Sequence, residues 1–289
     1  MHYKEYKTIL SPQNNMNIYR GCTHGCIYCD SRSYCYQINH EFEDIEVKTD
    51  APFMLERILR RKQKGCMVST GAMSDPYIHV EEKLQYMRKC LETIDFYGHG
   101  VCILTKSNRI LRDLDILKRI NKHSKCIVQM TLTTADEELC KILEPNVSTT
   151  KERFEVLKTM RDNGIRTIVW LTPFLPYIND TEENIRKLLD MCIEANVYGI
   201  MCFGIGLTLR AGNREYFYKM LDENFVGMKE KYIKNFGNNY ICNSDNANKL
   251  MNIINYQCKK NEIVIGSKKL FSYMQKYEEK CGGQLILDL

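Results

Sequence analysis

Short apolar runs alternate with amphipathic segments along most of this chain, and that rhythm constrains its fold more than any other feature. The runs are "CMVSTG" (66–71), "GVCILT" (100–105), "CIVQMTL" (126–132), "IRTIVWLT" (165–172) and "YGIMCFG" (198–204). Between them apolar residues return at helical spacing, as in Val80, Leu84, Met87, Leu91 and Ile94, or Ile185, Leu188, Leu189 and Cys192. "TTKE" at 149–152 reads as a capping box that starts a helix running to about Asn163, where Gly164 stops it. With "NMNIYRG" as a further strand, the chain holds six strand–helix units. Such alternation predicts a parallel sheet, either doubly wound or closing toward a barrel, with ligands at the carboxyl ends of the strands.

The fourth strand discriminates between these. Cys126, Val128, Met130 and Leu132 share one face, while Gln129, Thr131 and Thr133 share the other. Buried parallel strands are normally apolar on both faces, so a polar row suits a barrel whose interior holds a polar ligand. From about Leu209 the pattern changes to helices without intervening strands. The expected architecture is α/β: a partial (β/α)6 barrel over residues 1–208, and a C-terminal helical extension over 209–289 packed on it.

Charged residues make up 27% of the chain and the net charge is only +5, which does not mark a dedicated nucleic-acid domain. The densest basic run, "RILRRKQKG" with Arg57, Arg60, Arg61, Lys62 and Lys64, wraps a helix around Leu55, Ile58 and Leu59 and reads as a solvated face. No stretch approaches the ~20 apolar residues of a membrane span. "MHYKEYKTIL" lacks the apolar core of a secretory signal, so a cytoplasmic, monomeric protein is expected. Of the fourteen cysteines, seven beyond the opening loop sit singly in apolar stretches (Cys66, Cys90, Cys102, Cys126, Cys140, Cys192, Cys202) and read as reduced, small hydrophobes.

"GCTHGCIYCD" is different. It gathers Cys22, Cys26 and Cys29 in one loop after the first strand. Flanking glycines and polar residues argue against three buried structural thiols. A zinc site with Cys35 or His24 as fourth ligand lacks the distant second ligand pair that such sites usually have. An iron–sulfur cluster with one open iron fits three thiolates at the mouth of a barrel best. Downstream, Cys242, Cys258 and Cys281 are too widely spaced to suggest a second cluster.

C-x3-C-x2-C with an aromatic residue before the last cysteine resembles the radical S-adenosylmethionine enzymes, over about residues 15–205. In that superfamily a [4Fe-4S] cluster binds S-adenosyl-L-methionine at its open iron. Reduction splits the cofactor into methionine and a 5′-deoxyadenosyl radical that takes hydrogen from a substrate. Within the superfamily, "STGAMSDPY", "ILTKSNRILRDLDIL", "TLTTADEELCKILEPNVSTTKERFEVLKTM", "GNREYFYKMLDENF" and "GGQLILDL" resemble the group around spore photoproduct lyase, often labelled DNA repair photolyase-like.

The resemblance implies that Ser74, Lys106 and Thr131 contact the cofactor, and that Tyr28 lies beside the cluster with its backbone near the adenine. Hydroxyls for a ribose and a cation for a carboxylate are what such a zwitterion needs. Asp75, Glu81 and Arg153 are further candidates. Their plainer readings are a turn residue, a helix-start charge and a solvated helix face. The resemblance also implies oxygen sensitivity, a flavodoxin or ferredoxin as reductant, and a nucleic-acid base as substrate. A peptide or small metabolite is the alternative substrate class, and a zinc-stabilised binding protein using Cys35 the alternative to an enzyme. One departure stands out: photoproduct lyases carry a hydrogen-donating cysteine before the Ser/Thr-Asp stretch, where residues 71–75 here have no thiol and Cys66 lies too far back.

Overall fold

The computed structural model describes residues 1–280. The apolar runs form β2 (Met67–Thr70), β3 (Gly100–Thr105), β4 (Cys126–Thr131), β5 (Arg166–Trp170) and β6 (Gly199–Met201), preceded by the two-residue β1 (Asn15–Met16). All pair in parallel, and a seventh strand, β7 (Val264–Ile265), adds to β6, giving the order β7-β6-β5-β4-β3-β2-β1. The strands bound a partial barrel, open because β1 and β7 do not pair.

The alternation on β4 is realised in three dimensions. Cys126, Val128 and Met130 pack outward into the main core with helix residues such as Ile120, Leu157 and Met160. Ile127 instead joins Cys102, Ile168 and Met201 in a separate inner cluster. Gln129 is buried on that inner side, donating to Cys102 Sγ at 3.1 Å and accepting from Trp170 Nε1 at 2.7 Å. The inner face is thus apolar at its base and becomes polar toward the strand ends.

Several local expectations were refined by packing. The capping box is present, with Glu152 N–H donating to Thr149 Oγ1 and Thr149 N–H to Glu152 Oε2, and the helix spans Thr150–Asp162 before Gly164. The stripe from Val80 to Ile94 lies on two helices, Glu81–Leu84 and Tyr86–Phe96, separated by Gln85 in the left-handed region. Glu81 causes the break: its carboxylate turns inward to accept from Met87 N–H, Arg112 and Tyr19. Arg57, Arg60 and Arg61 are exposed as expected, although the helix Ala51–Leu59 ends before the last two.

Two corrections concern connectivity. The segment expected to run as one strand into the cysteines is split, because Tyr19–Arg20 leaves the barrel to pair antiparallel with Glu46–Lys48 in a small separate sheet. Beyond residue 209 the helices are not uninterrupted. Ile241–Asn243 pairs with Gly206–Thr208, and β7 joins the barrel. Both strands are too short to show a period of two in the sequence. The helix Ser267–Gln275 that follows β7 places Leu270 and Met274 against the inner cluster of the barrel. The C-terminal helices therefore complete the barrel's interior as well as covering it. The tail "GGQLILDL" and Cys281 lie outside the described residues.

Candidate active site

Cys22, Cys26 and Cys29 line one cavity of about 470 Å³ at the carboxyl ends of the strands. Their loop is held on two sides. Cys22 N–H donates to Phe42 O at 2.9 Å, while Ile27 N–H donates to Leu143 O and Asn146 N–H to His24 O. Gly21 makes the first anchor possible: it has φ +83°, and a Cβ there would lie 2.4 Å from Phe42 O. Burial, with Cys29 beside it, pushes the Cys22 thiol up to about 12, and burial also raises Cys26 well above an ordinary thiol. These sulfurs become thiolates only when a cation takes the place of the proton.

The spacing of the sulfurs is informative. Among the described residues, the only three His, Cys, Asp or Glu ligand atoms lying within 4.8 Å of one another belong to His2, His40 and Asp44, away from the cavity. Three thiolates on one zinc ion, each at ~2.3 Å in tetrahedral geometry, would stand about 3.8 Å apart. The wider spacing of the loop sulfurs suits a polynuclear cluster with one iron per thiolate. Cys35 does not line the cavity; it is exposed, and its Sγ accepts from Arg210 Nη1 at 3.3 Å.

The wall facing the cysteines comes from β2, β3 and β4. Gly71, at φ +100°, lets the loop after β2 press on β3, since a Cβ would lie 1.8 Å from Leu104 O. Asp75 then ties the wall together. Its carboxylate accepts from Tyr77 N–H at 2.9 Å, Thr105 Oγ1 at 2.8 Å and Lys106 N–H at 2.7 Å. Its reading as a turn residue holds, but it also fixes the position of Lys106. Ser74 Oγ donates to Gly21 O at 2.5 Å and so straps this wall to the cysteine loop.

Lys106 is the cation of the cavity. Its ammonium makes no hydrogen bond or ion pair among the described residues and stands 5.9 Å from the centre of the Tyr28 ring. Burial alone would lower its pKa, yet Cys26, Glu144, Cys29 and Asp75 outweigh it and the net shift is upward. The lysine stays charged while lacking an anion of its own.

Behind this wall lies a buried polar network. Arg153 is fully buried, donates to Thr131 O at 2.8 Å and pairs with Glu144, which also accepts from the Tyr28 hydroxyl. Arg153 does not fit its plainer reading: it faces inward because Glu144 and Thr131 O attract it. Glu81 does start its helix, but as a buried acceptor. Neither lines the cavity, so neither touches what it holds. Tyr28 and Thr131 do line it, and both are held from behind through Arg153 and Glu144.

At the far end the cavity turns aromatic. Trp170 and Phe203 meet edge to face at 5.6 Å, and Phe203 stacks at 6.5 Å from Phe271. Ile241 and Asn243 of the short two-stranded sheet complete this end.

The family model described as the Radical SAM superfamily matches residues 16–192, more than half of the chain. The chain belongs to the Radical SAM superfamily. Its members use a [4Fe-4S] cluster and S-adenosylmethionine. A protein of Mycobacterium tuberculosis is 29% identical over 213 residues, which cover 70% of this chain and 61% of the relative. A protein of Methanocaldococcus jannaschii is 30% identical over 169 residues, 58% of this chain and 62% of the relative. The chain thus matches less than two thirds of these relatives' own length. Among solved structures, spore photoproduct lyase in its C140S form is similar with a TM-score of 0.61 at 14% identity, covering 88% of this chain and 76% of that one. At that identity the likeness is one of fold.

The cavity fits these cofactors on its own chemistry. Three thiols on one loop face a free cation, and His24, which is buried, keeps its Nε2 without a partner there. Burial pushes the His24 imidazole down to about 4, against the pull of Asp75 nearby, so it is neutral. All four residues expected to contact the cofactor, Tyr28, Ser74, Lys106 and Thr131, line the cavity with the three cysteines. The sequence reading missed Glu144 as the partner of Arg153, and it missed the aromatic end. Trp170 is the chain's one tryptophan and sits at the end of a strand, a signal that was available. Among the described residues no thiol besides the three lines the cavity; Cys66 precedes β2 at the opposite end of the barrel, beside His99. No helix among the described residues is long and apolar enough to cross a membrane.

Proposed function

We propose that this chain is a radical S-adenosylmethionine enzyme whose cluster is held by Cys22, Cys26 and Cys29, with the cofactor on the remaining iron. When bound and reduced, these cofactors supply a 5′-deoxyadenosyl radical that takes a hydrogen atom from a substrate. The observation that carries the reading is the unpaired Lys106 ammonium inside the same cavity as three cysteines of one loop. In this reading Lys106 holds the methionyl carboxylate, and Thr131 and the Ser74 oxygen serve the remaining polar groups of the cofactor. Tyr28 shields the cluster side. Asp75 fixes Lys106 from within the wall, and Arg153 and Glu144 position Tyr28 and Thr131 without lining the cavity.

The substrate occupies the aromatic end, beyond the polar wall. Trp170 and Phe203 offer faces on which a flat ring stacks. Spore photoproduct lyase, whose fold is shared, has been solved with a dinucleoside spore photoproduct bound. A nucleic-acid base is therefore the first substrate class to test. Among the described residues the cavity holds no thiol besides those of the cysteine loop, and photoproduct cleavage by the lyases' own route is not proposed. An external one-electron donor of the flavodoxin or ferredoxin kind supplies the reducing electron.

The test is anaerobic reconstitution with iron and sulfide, followed by dithionite and S-adenosylmethionine. Brown absorbance and 5′-deoxyadenosine are expected from the wild type and neither from Cys26→Ala. A colourless protein that retains zinc and yields no 5′-deoxyadenosine would overturn the assignment.

A further inference from the structure

A second recess, of about 240 Å³, opens beside the active-site cavity and shares Tyr36, Met73 and Ser74 with it. Among the described residues, two cations, Arg20 and Lys48, line this recess, and no carboxylate does. Arg20 is rigidly placed: its guanidinium donates to Tyr36 O at 2.8 Å, Gln37 O at 3.0 Å and the Tyr6 hydroxyl at 3.1 Å. The nearest acid, Glu46, is 3.9 Å from Arg20 Nε and is already committed to Lys4 at 3.0 Å and to the Tyr6 hydroxyl.

Lys48 is left over. Among the described residues its ammonium makes no hydrogen bond and no ion pair, and it stands 4.7 Å from the centre of the Tyr6 ring. Burial and then Arg20 lower its pKa, with only Glu46 pulling the other way. A half-buried ammonium beside a guanidinium, in a recess without acids, is electrostatically unfavourable until an anion arrives. Charge-assisted hydrogen bonds from lysine and arginine are the means by which proteins hold phosphate and carboxylate groups.

We propose that this recess is an anion subsite in which Lys48, beside Arg20, binds a phosphate or carboxylate group of the substrate. Because the recess adjoins the cavity through Tyr36, Met73 and Ser74, an anion held there belongs to a molecule whose remainder reaches the cavity. This rests on the functional reading above, in which the cofactor's own carboxylate is taken by Lys106. It narrows the substrate to molecules that carry an anionic group close to the reacting carbon.

The test is equilibrium dialysis of the cluster-loaded protein under anaerobic conditions, with radiolabelled inorganic phosphate in one arm and acetate in the other. Each arm is run with and without S-adenosylmethionine. Saturable one-site binding is expected for at least one anion, unchanged by S-adenosylmethionine and about tenfold or more weaker in Lys48→Met. Lys64→Met, on the exposed basic run, should bind as wild type, and circular dichroism should show both variants folded. Preference for phosphate points to a nucleotide-like substrate, and preference for acetate to a carboxylate-bearing one. With S-adenosylmethionine present to occupy the Lys106 site, absence of saturable binding, equal binding in Lys48→Met, or displacement of the Lys48-dependent binding by S-adenosylmethionine overturns the subsite. Since dialysis needs no turnover, a protein that binds phosphate through Lys48 but makes no 5′-deoxyadenosine would keep the subsite and lose the function.

Discussion

Arg153 and Glu144 form an ion pair in which neither side chain has any solvent exposure, and the pair connects two parts of the cavity wall. Arg153 reaches Thr131 O on one side, and Glu144 takes the Tyr28 hydroxyl on the other. Removing one partner leaves a buried charge uncompensated, which costs about 3–5 kcal/mol. Arg153→Met should therefore lower stability by that amount in chemical unfolding. Glu144→Gln should cost a comparable amount, because the Arg153 guanidinium then stays buried without its counter-charge.

The same pair predicts a pH dependence. Burial would raise the Glu144 pKa, but Arg153 and then Lys106 outweigh it and the net shift is downward. A carboxyl depressed in the folded state contributes stability above its unfolded value of about 4.3, and loses it as pH falls through the folded value. Unfolding midpoints measured from pH 7 downward should show the wild type's advantage over Glu144→Gln shrinking below about pH 4.3. An advantage that stayed constant into acid would mean the carboxyl is not ionised in the fold.

Lys106 separates cofactor binding from cluster binding. Its ammonium has no protein anion within ion-pair distance among the described residues, so its removal should disturb the fold little. Lys106→Met should retain the brown absorbance while weakening S-adenosylmethionine binding about tenfold or more. Equilibrium dialysis alongside the visible spectrum checks this, and loss of the cluster in this variant would contradict the division of roles.

Cys35 tests the ligand set from the other side. It lies outside the cavity, exposed and against Arg210. Cys35→Ala should keep full iron and sulfide content, and Cys26→Ala should keep neither. Iron and sulfide analysis of the two variants is sufficient, and loss of the cluster in Cys35→Ala alone would revise the ligands.

How far the sequence foretold this depended on whether the information was local. The five long apolar runs, the Thr149–Glu152 capping box and the two-faced β4 are written within a few residues, and each was legible. The cysteine loop was legible for the same reason. Arg153 on its helix face and Glu81 at its helix start look solvated until the partners that turn them inward are known. Those partners, Glu144 and Arg112, come from elsewhere in the chain. Lys48 raised no suspicion because its isolation arises only when Glu46 is taken up by Lys4 and Tyr6.

Leu270 carries the last expectation, and it concerns the part of the fold that the sequence hid best. The barrel has no β1–β7 pairing to close it, so its inner face must be covered by something other than its own strands. Leu270 and Met274 supply that cover, against Met67, Cys102, Ile127, Ile168 and Met201. Leu270 is fully buried, and Gly199 on β6 is the residue that lets it approach, since a Cβ there would lie 2.5 Å from Leu270 Cδ2. Leu270→Ala removes a buried side chain and leaves a cavity, which costs about 2–5 kcal/mol. The expected result is a lower urea midpoint in Leu270→Ala at unchanged iron content per folded molecule. If the C-terminal helix were only an appendage on the barrel, the substitution would shift the midpoint by less than about 0.5 kcal/mol, as surface changes do.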